Sequence, residues 1–66
     1  MTSKILVVED HPLMLRAMVS LLEDEFVGAT VVCASTADEG LRLARSERYD
    51  LIVFDLHGTG GQEGLQ

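Results

Sequence analysis

The chain has 66 residues, with five basic and eleven acidic side chains and a net charge of −6 at pH 7. This acidic balance argues against nucleic-acid binding by this segment, because phosphate contacts require lysine and arginine. No apolar run approaches the roughly 20 residues of a membrane span, and the N-terminus meets acids too early for a signal peptide. A core of this size is marginal unless something completes it.

The single cysteine, Cys33, excludes an internal disulfide and has no CxxC partner for zinc. It lies in an apolar run, which predicts a small core residue. A lone cysteine fits a reducing compartment, and we therefore expect a cytoplasmic chain.

The first predicted element is a strand over residues 4–8, because four apolar residues follow Lys4 without polar alternation, as in a parallel sheet buried on both faces. Glu9 and Asp10 end this strand. Pro12 suits the first position of a helix, which we predict to continue to about Glu25. The apolar stripe of this helix consists of Leu15, Met18 and Leu22, widened by Met14 and Leu21.

The second half of the chain predicts a strand, a helix and a further strand. Residues 29–34, ATVVCA, are predicted to form the second strand. Thr36 with Glu39 three residues later forms a capping box, so a helix should begin directly after Thr36. Gly40 should cost this helix about 1 kcal/mol relative to alanine. Its inner face should be lined by Ala37, Leu41 and Ala44. Residues 51–54 complete a β-α-β-α-β order, which predicts a parallel sheet with helical crossovers.

Acidic residues follow two of the predicted strands. If the third strand lies beside the first, in the order 2-1-3, then Glu9 and Asp10 share one edge of the sheet with Asp55, on strands about 4.8 Å apart. Three converging carboxylates suit Mg²⁺, which prefers oxygen ligands, and an aspartate facing that ion can attack phosphorus. Alternatively, Glu9 and Asp10 only favour the positive end of the first helix, and Asp55 only forms a turn.

Two segments, ILVVEDHPLMLRAMVSLLE and YDLIVFDL, resemble the receiver domain of two-component response regulators. The resemblance covers residues 4–56 and rests on the acidic pair after strand one and the aspartate after strand three. It implies a flavodoxin-like α/β fold in which residues 1–66 are the N-terminal part of an incomplete receiver. The remainder of the receiver and any output domain would then lie outside this chain.

The resemblance also implies roles for individual residues. Asp55 is the phosphoacceptor, which takes a phosphoryl group from a histidine kinase or a phosphotransfer protein. Asp10 and Asp55 ligate Mg²⁺ directly, Glu9 ligates it through water, and the backbone carbonyl of His57 supplies another oxygen. The stretch VEDHPL is especially similar to receivers attached to NarL/LuxR-type DNA-binding domains, which implies transcription regulation by a signalling module that is not an enzyme.

Two departures from the family pattern leave another function open. The chain passes directly from His57 to Gly58, as if two residues were missing, and no residue matches the family's Ser/Thr and Lys around the phosphoryl group. A receiver-like module that binds a partner without accepting phosphate is therefore an alternative. Strand three would also form an open apolar edge, through which we expect the chain to form a twofold homodimer.

Two other classes of protein share parts of these motifs. VFDLHGTG is similar to the DxDGT nucleophile motif of haloacid dehalogenase-type phosphatases, although His57 replaces the second aspartate and the motif follows strand three instead of strand one. A nucleotide-binding half-domain is suggested by GxGxxxG at Gly58, Gly60 and Gly64, one residue off the dinucleotide fingerprint and without a Walker lysine.

Overall fold

The structure is a computed structural model that describes residues 3–56. In chain order its elements are β1 (Lys4–Glu9), α1 (Pro12–Glu25), β2 (Thr30–Ala34), α2 (Ala37–Ser46) and β3 (Leu51–Asp55). The strands are parallel and lie in the order β2-β1-β3. The predicted flavodoxin-like α/β fold, with strand order 2-1-3, is confirmed.

The central strand β1 forms the core of the described residues. Residues 5–9 of β1 are all buried, because a strand lies on each side and both helices pack against β1 and β2. Cys33 lines a groove with α1, whereas Ala34 belongs to the core cluster against which α2 packs. Since neighbouring residues of a strand point to opposite faces, α1 and α2 cover opposite faces of the sheet.

Helix α1 begins and ends where the sequence predicts. His11 is the N-cap, its Nδ1 accepts a hydrogen bond from the Met14 N–H at 3.4 Å, and Pro12 occupies the first turn. The stripe is narrower than expected, since Met14 and Leu21 are 44% and 64% exposed. Both widening residues were predicted wrongly, because α1 packs on β1 and β2 and leaves its flanks uncovered.

Helix α2 begins after the predicted cap. Thr36 Oγ1 accepts a hydrogen bond from the Glu39 N–H at 3.1 Å, whereas Glu39 Oε1 accepts one from the Ser35 N–H at 3.3 Å. Of the predicted inner-face residues, Ala44 packs against the core cluster. Leu41 is 45% exposed, and the residues that face the sheet are Gly40, Leu43 and Ala44.

Gly40 allows α2 to approach the sheet closely. A Cβ at this position would lie 2.6 Å from Val8 Cγ2 and 3.2 Å from Phe54 Cζ. Val8 is buried and β-branched, so it has little freedom to move aside. The predicted helix cost of this glycine is therefore offset by packing that alanine does not permit.

Cys33 is exposed, and the prediction of a core residue is wrong. The reason is that β2 is a sheet edge within the described residues, and α1 covers its outer face only in part. Partial burial nevertheless raises the pKa of the Cys33 thiol, and the charge of Glu23 raises it further. Neither α1 nor α2, the helices of residues 3–56, is long and apolar enough to cross a membrane.

Candidate acidic site at the carboxyl edge of the sheet

The acids of β1 and β3 lie on adjacent strands. Strand β3 pairs with β1 in parallel, and the register places Glu9 opposite Asp55. Asp10 is the next residue after Glu9, at the point where β1 ends and the loop to α1 begins. The predicted adjacency of the two strand ends is confirmed, and it lies at the edge where open α/β sheets bind ligands.

Glu9 is fully buried at the end of β1, within the strand and not after it as predicted. Its Oε2 accepts a hydrogen bond from the backbone N–H of His11 at 2.9 Å. A buried carboxylate is costly unless polar groups compensate it, and this bond supplies part of that compensation. Asp10 is exposed and Asp55 is half-buried. Solvent or a ligand can therefore reach both aspartates.

His11 fixes the loop between β1 and α1 at both of its ends. Its backbone N–H binds Glu9, and its imidazole caps α1 through the Met14 N–H. The sequence did not predict the bond to Glu9. Glu9 and Asp10 therefore lie directly before the N-terminus of α1, where the positive end of the helix dipole favours negative charge.

The donor atoms at this edge fit a hard divalent cation. Carboxylate oxygens are the ligands that Mg²⁺ prefers, and one or two carboxylates with water suffice to bind it. Within residues 3–56, no three His, Cys, Asp or Glu side chains form a group that could hold a metal ion. The predicted ligand roles of Glu9, Asp10 and Asp55 therefore stay predictions.

Other predicted features do not contribute to this edge. His57, with its backbone carbonyl, and the glycines of GxGxxxG lie outside the described residues. Lys4 lies at the start of β1, at the opposite end of the sheet, where its ammonium pairs with Glu47. Two grooves along α1 are lined by other residues and not by the three acids.

Comparison with known proteins agrees with this fold. Residues 5–66 match the response regulator receiver domain, and the chain belongs to that family. Receiver domains are modules of two-component signalling. The chain is also 38% identical over 69 residues to a glycerol metabolism activator of Pseudomonas putida. That alignment covers 96% of this chain and 31% of the relative, so the chain spans about a third of the relative's length. No solved structure matches the chain.

Proposed function

We propose that this chain accepts a phosphoryl group on Asp55 and relays a signal in a two-component pathway. The observation that supports this function is the register of β1 and β3, which sets Asp55 opposite Glu9 and beside the Asp10 loop. The proposed donor is a histidine kinase or a phosphotransfer protein, as family membership suggests. The chain then acts as a signalling module and not as an enzyme.

The transfer needs an aspartate that solvent and a donor can reach. An oxygen of the half-buried Asp55 carboxylate would attack phosphorus while the bond from phosphorus to the donor's histidine nitrogen breaks. The electron pair of that bond stays with the histidine, and the product is an acyl phosphate on Asp55. Glu9, which is buried and hydrogen-bonded to the loop, would hold that loop beside the acceptor.

Magnesium is part of this proposal. Asp10 and Asp55 would hold Mg²⁺ directly, Glu9 through water, and the His57 carbonyl would complete the protein ligands. When bound, the ion would offset the repulsion between these acids and the incoming phosphoryl oxygens. The exposed position of Asp10 after β1 suits a ligand that solvent must reach.

The output of the signal is proposed to be transcription. The relative from Pseudomonas putida is named as an activator, and this chain covers 31% of it, which leaves room in such a protein for a DNA-binding output domain. As part of the same proposal the chain works in the cytoplasm, where a lone cysteine such as Cys33 stays reduced.

The test compares wild type with Asp55→Asn in the complete protein. With acetyl phosphate and Mg²⁺, the wild type should gain one phosphoryl group by intact mass, and Asp55→Asn should gain none. Asp38→Asn is the matched control, because Asp38 is an exposed acid in the first turn of α2. Labelling of Asp55→Asn would refute the assignment. Repeated turnover of a phosphomonoester would instead favour the phosphatase alternative.

A receiver-like module that never accepts phosphate is the second candidate. It is supported by the exposed apolar side chains of β3, which suit contact with a partner protein. Calorimetry separates the two candidates. Binding of beryllofluoride in the presence of Mg²⁺ supports the phosphoacceptor, whereas no heat of binding with an otherwise folded protein supports the interaction module.

We also propose that the 66-residue chain, studied alone, forms a twofold homodimer through β3. Among the described residues β3 pairs only with β1, and it exposes Leu51, Ile52 and Phe54 by 39–46%. It contains neither lysine nor proline, the residues that commonly protect sheet edges. Two such edges related by a twofold axis would continue the sheet from one copy to the next.

Sedimentation tests the dimer. The wild type should sediment as a dimer at micromolar concentration, and Ile52→Lys should shift it toward monomer. Val27→Lys is the matched control, because it makes the same change in charge at a side chain that is 90% exposed outside the sheet. A monodisperse wild-type monomer would count decisively against the interface.

A further inference from the structure

The contact between β1 and β3 begins at a pair of residues that bind each other twice. The Asp50 N–H donates to the Lys4 carbonyl at 2.8 Å, and the Asp50 carboxylate accepts from the Lys4 N–H at 2.7 Å. Asp50 directly precedes β3. The pair therefore occupies the register position before Ile5 and Leu51, the first partners of the ladder.

The opposite end of the same ladder is the acidic edge. From Ile5 with Leu51, the register continues without interruption to Glu9 with Asp55. Any shift at the Asp50 end is therefore transmitted along β3 to Asp55. A shift of one residue would turn Asp55 to the other face of the sheet, because side chains alternate along a strand.

The side chains of β3 do not by themselves define one register. Its first four residues, Leu51 to Phe54, are all apolar, so either face of the strand suits a hydrophobic environment. Three of them are more than a third exposed, so burial discriminates weakly between the two orientations. Register is strongly specified where one face of a strand is buried. Neither face of β3 is fully buried, so a hydrogen-bonded end can add specificity.

The other contacts of Lys4 hold the loop but not the register. Its ammonium forms an exposed ion pair with Glu47 and lies 5.6 Å from the centre of the Tyr49 ring. Both contacts come from a long, flexible side chain at the surface, where ion pairs contribute little. In contrast, both bonds to Asp50 involve the backbone of Lys4 itself.

From this geometry we propose that Asp50 is a positioning residue that sets the register of β3 on β1 and so places Asp55 opposite Glu9. The role in phosphorylation rests on the proposed function of Asp55, whereas the role in register does not. Asp50 would contact neither the substrate nor the metal ion. It acts through the backbone of Lys4, at the end of the sheet remote from the acids.

The experiment uses four variants of the complete protein and two measurements. Cross-strand NOEs between backbone protons around Val7 and Val53 report the register, and labelling by acetyl phosphate reports Asp55. Asp50→Ala removes the acceptor and should weaken the native NOEs and lower the labelling rate about tenfold, as expected for one hydrogen bond to a charged group. Asp50→Asn keeps an acceptor oxygen and should restore both.

Lys4→Ala and Glu47→Ala are the matched controls, because each removes the ion pair and leaves the two bonds between Asp50 and the Lys4 backbone. Both should keep the native NOEs and the wild-type labelling rate. If Asp50→Ala does not fold, Asp50→Glu takes its place, because it retains the charge but moves the carboxylate oxygens away from the Lys4 N–H. It should weaken the native NOEs and lower the labelling rate, each to a smaller degree.

Two results would overturn the proposal: native NOEs and wild-type labelling in folded Asp50→Ala, or a register change in Lys4→Ala equal to that in Asp50→Ala. A register change in Asp50→Ala with no labelling of the wild type supports the positioning role while refuting the phosphoacceptor. Wild-type labelling that Asp50→Ala leaves unchanged refutes the positioning role while supporting the phosphoacceptor.

Discussion

Glu9 and Asp55 are register partners on the parallel strands β1 and β3, although two helices and a strand separate them in the chain. Their placement follows from the crossover topology, since parallel neighbours bring their carboxyl ends to the same edge. The backbone therefore assembles acids from distant segments before any ligand is bound. Asp10, one residue beyond Glu9, is the acid of this group that can be altered with least effect on the core.

Asp10→Ala should weaken Mg²⁺ binding by roughly tenfold or more, because it removes a proposed direct ligand. Its exposed position predicts little change in stability. Isothermal titration calorimetry with Mg²⁺ measures the effect, and Asp38→Ala on α2 is the matched control, which should bind Mg²⁺ as the wild type does. Unchanged affinity in Asp10→Ala would contradict the ligand role.

Gly40→Ala should destabilise the protein although alanine is the better helix former. The new methyl group would lie 2.6 Å from Val8 Cγ2, and overpacking of this kind costs about 1–3 kcal/mol. The gain in helix propensity is about 1 kcal/mol, so a net loss is expected. Urea denaturation measures it as a lower midpoint with an unchanged slope.

The control for this prediction is a double-mutant cycle with Val8→Ala. Removing both Cγ atoms of Val8 removes the two closest contacts of the new methyl group. Gly40→Ala should therefore lose most of its cost in the Val8→Ala background, and the double mutant should be less destabilised than the sum of the two single mutants. Equal costs in both backgrounds would show that the approach of α2 to β1 is not what excludes alanine.

Local signals in the sequence predicted the elements well. Pro12 and the Thr36–Glu39 pair located both helix starts, because proline geometry and side-chain capping act within one turn. Exposure was predicted less well. Met14, Leu21 and Leu41 continue apolar patterns but are exposed, because periodicity gives the direction of a helix face and not the width of the sheet beneath it.

The sequence predicted which strands form the candidate site, but not the hydrogen bonds that position them. The strand order that brings Asp55 to Glu9 followed from element order and the family resemblance, and it is confirmed. The bonds of His11 to Glu9 and of Asp50 to Lys4 were not predicted, since each involves a backbone N–H that leaves no residue-type pattern. Asp50 could have been noticed as the acid that stands directly before an apolar strand.

Stability should fall at alkaline pH through Lys4. The Glu47 carboxylate accepts a hydrogen bond from the Lys4 ammonium and raises the Lys4 pKa above its ordinary 10.5, a rise that desolvation partly opposes. A pKa that is higher in the folded chain stabilises the fold while the group is charged. The contribution is therefore complete below about pH 10.5 and is lost as the pH rises through the folded pKa.

Glu47→Gln isolates this contribution, because it removes the carboxylate and leaves Lys4 and Tyr49 in place. Urea midpoints of both proteins should be measured from about pH 9 to about pH 11.5. The wild type should be slightly more stable than Glu47→Gln at the lower end, and the difference should shrink steadily toward the upper end. A difference that stays constant across this range would show that the ion pair does not account for the raised pKa of Lys4.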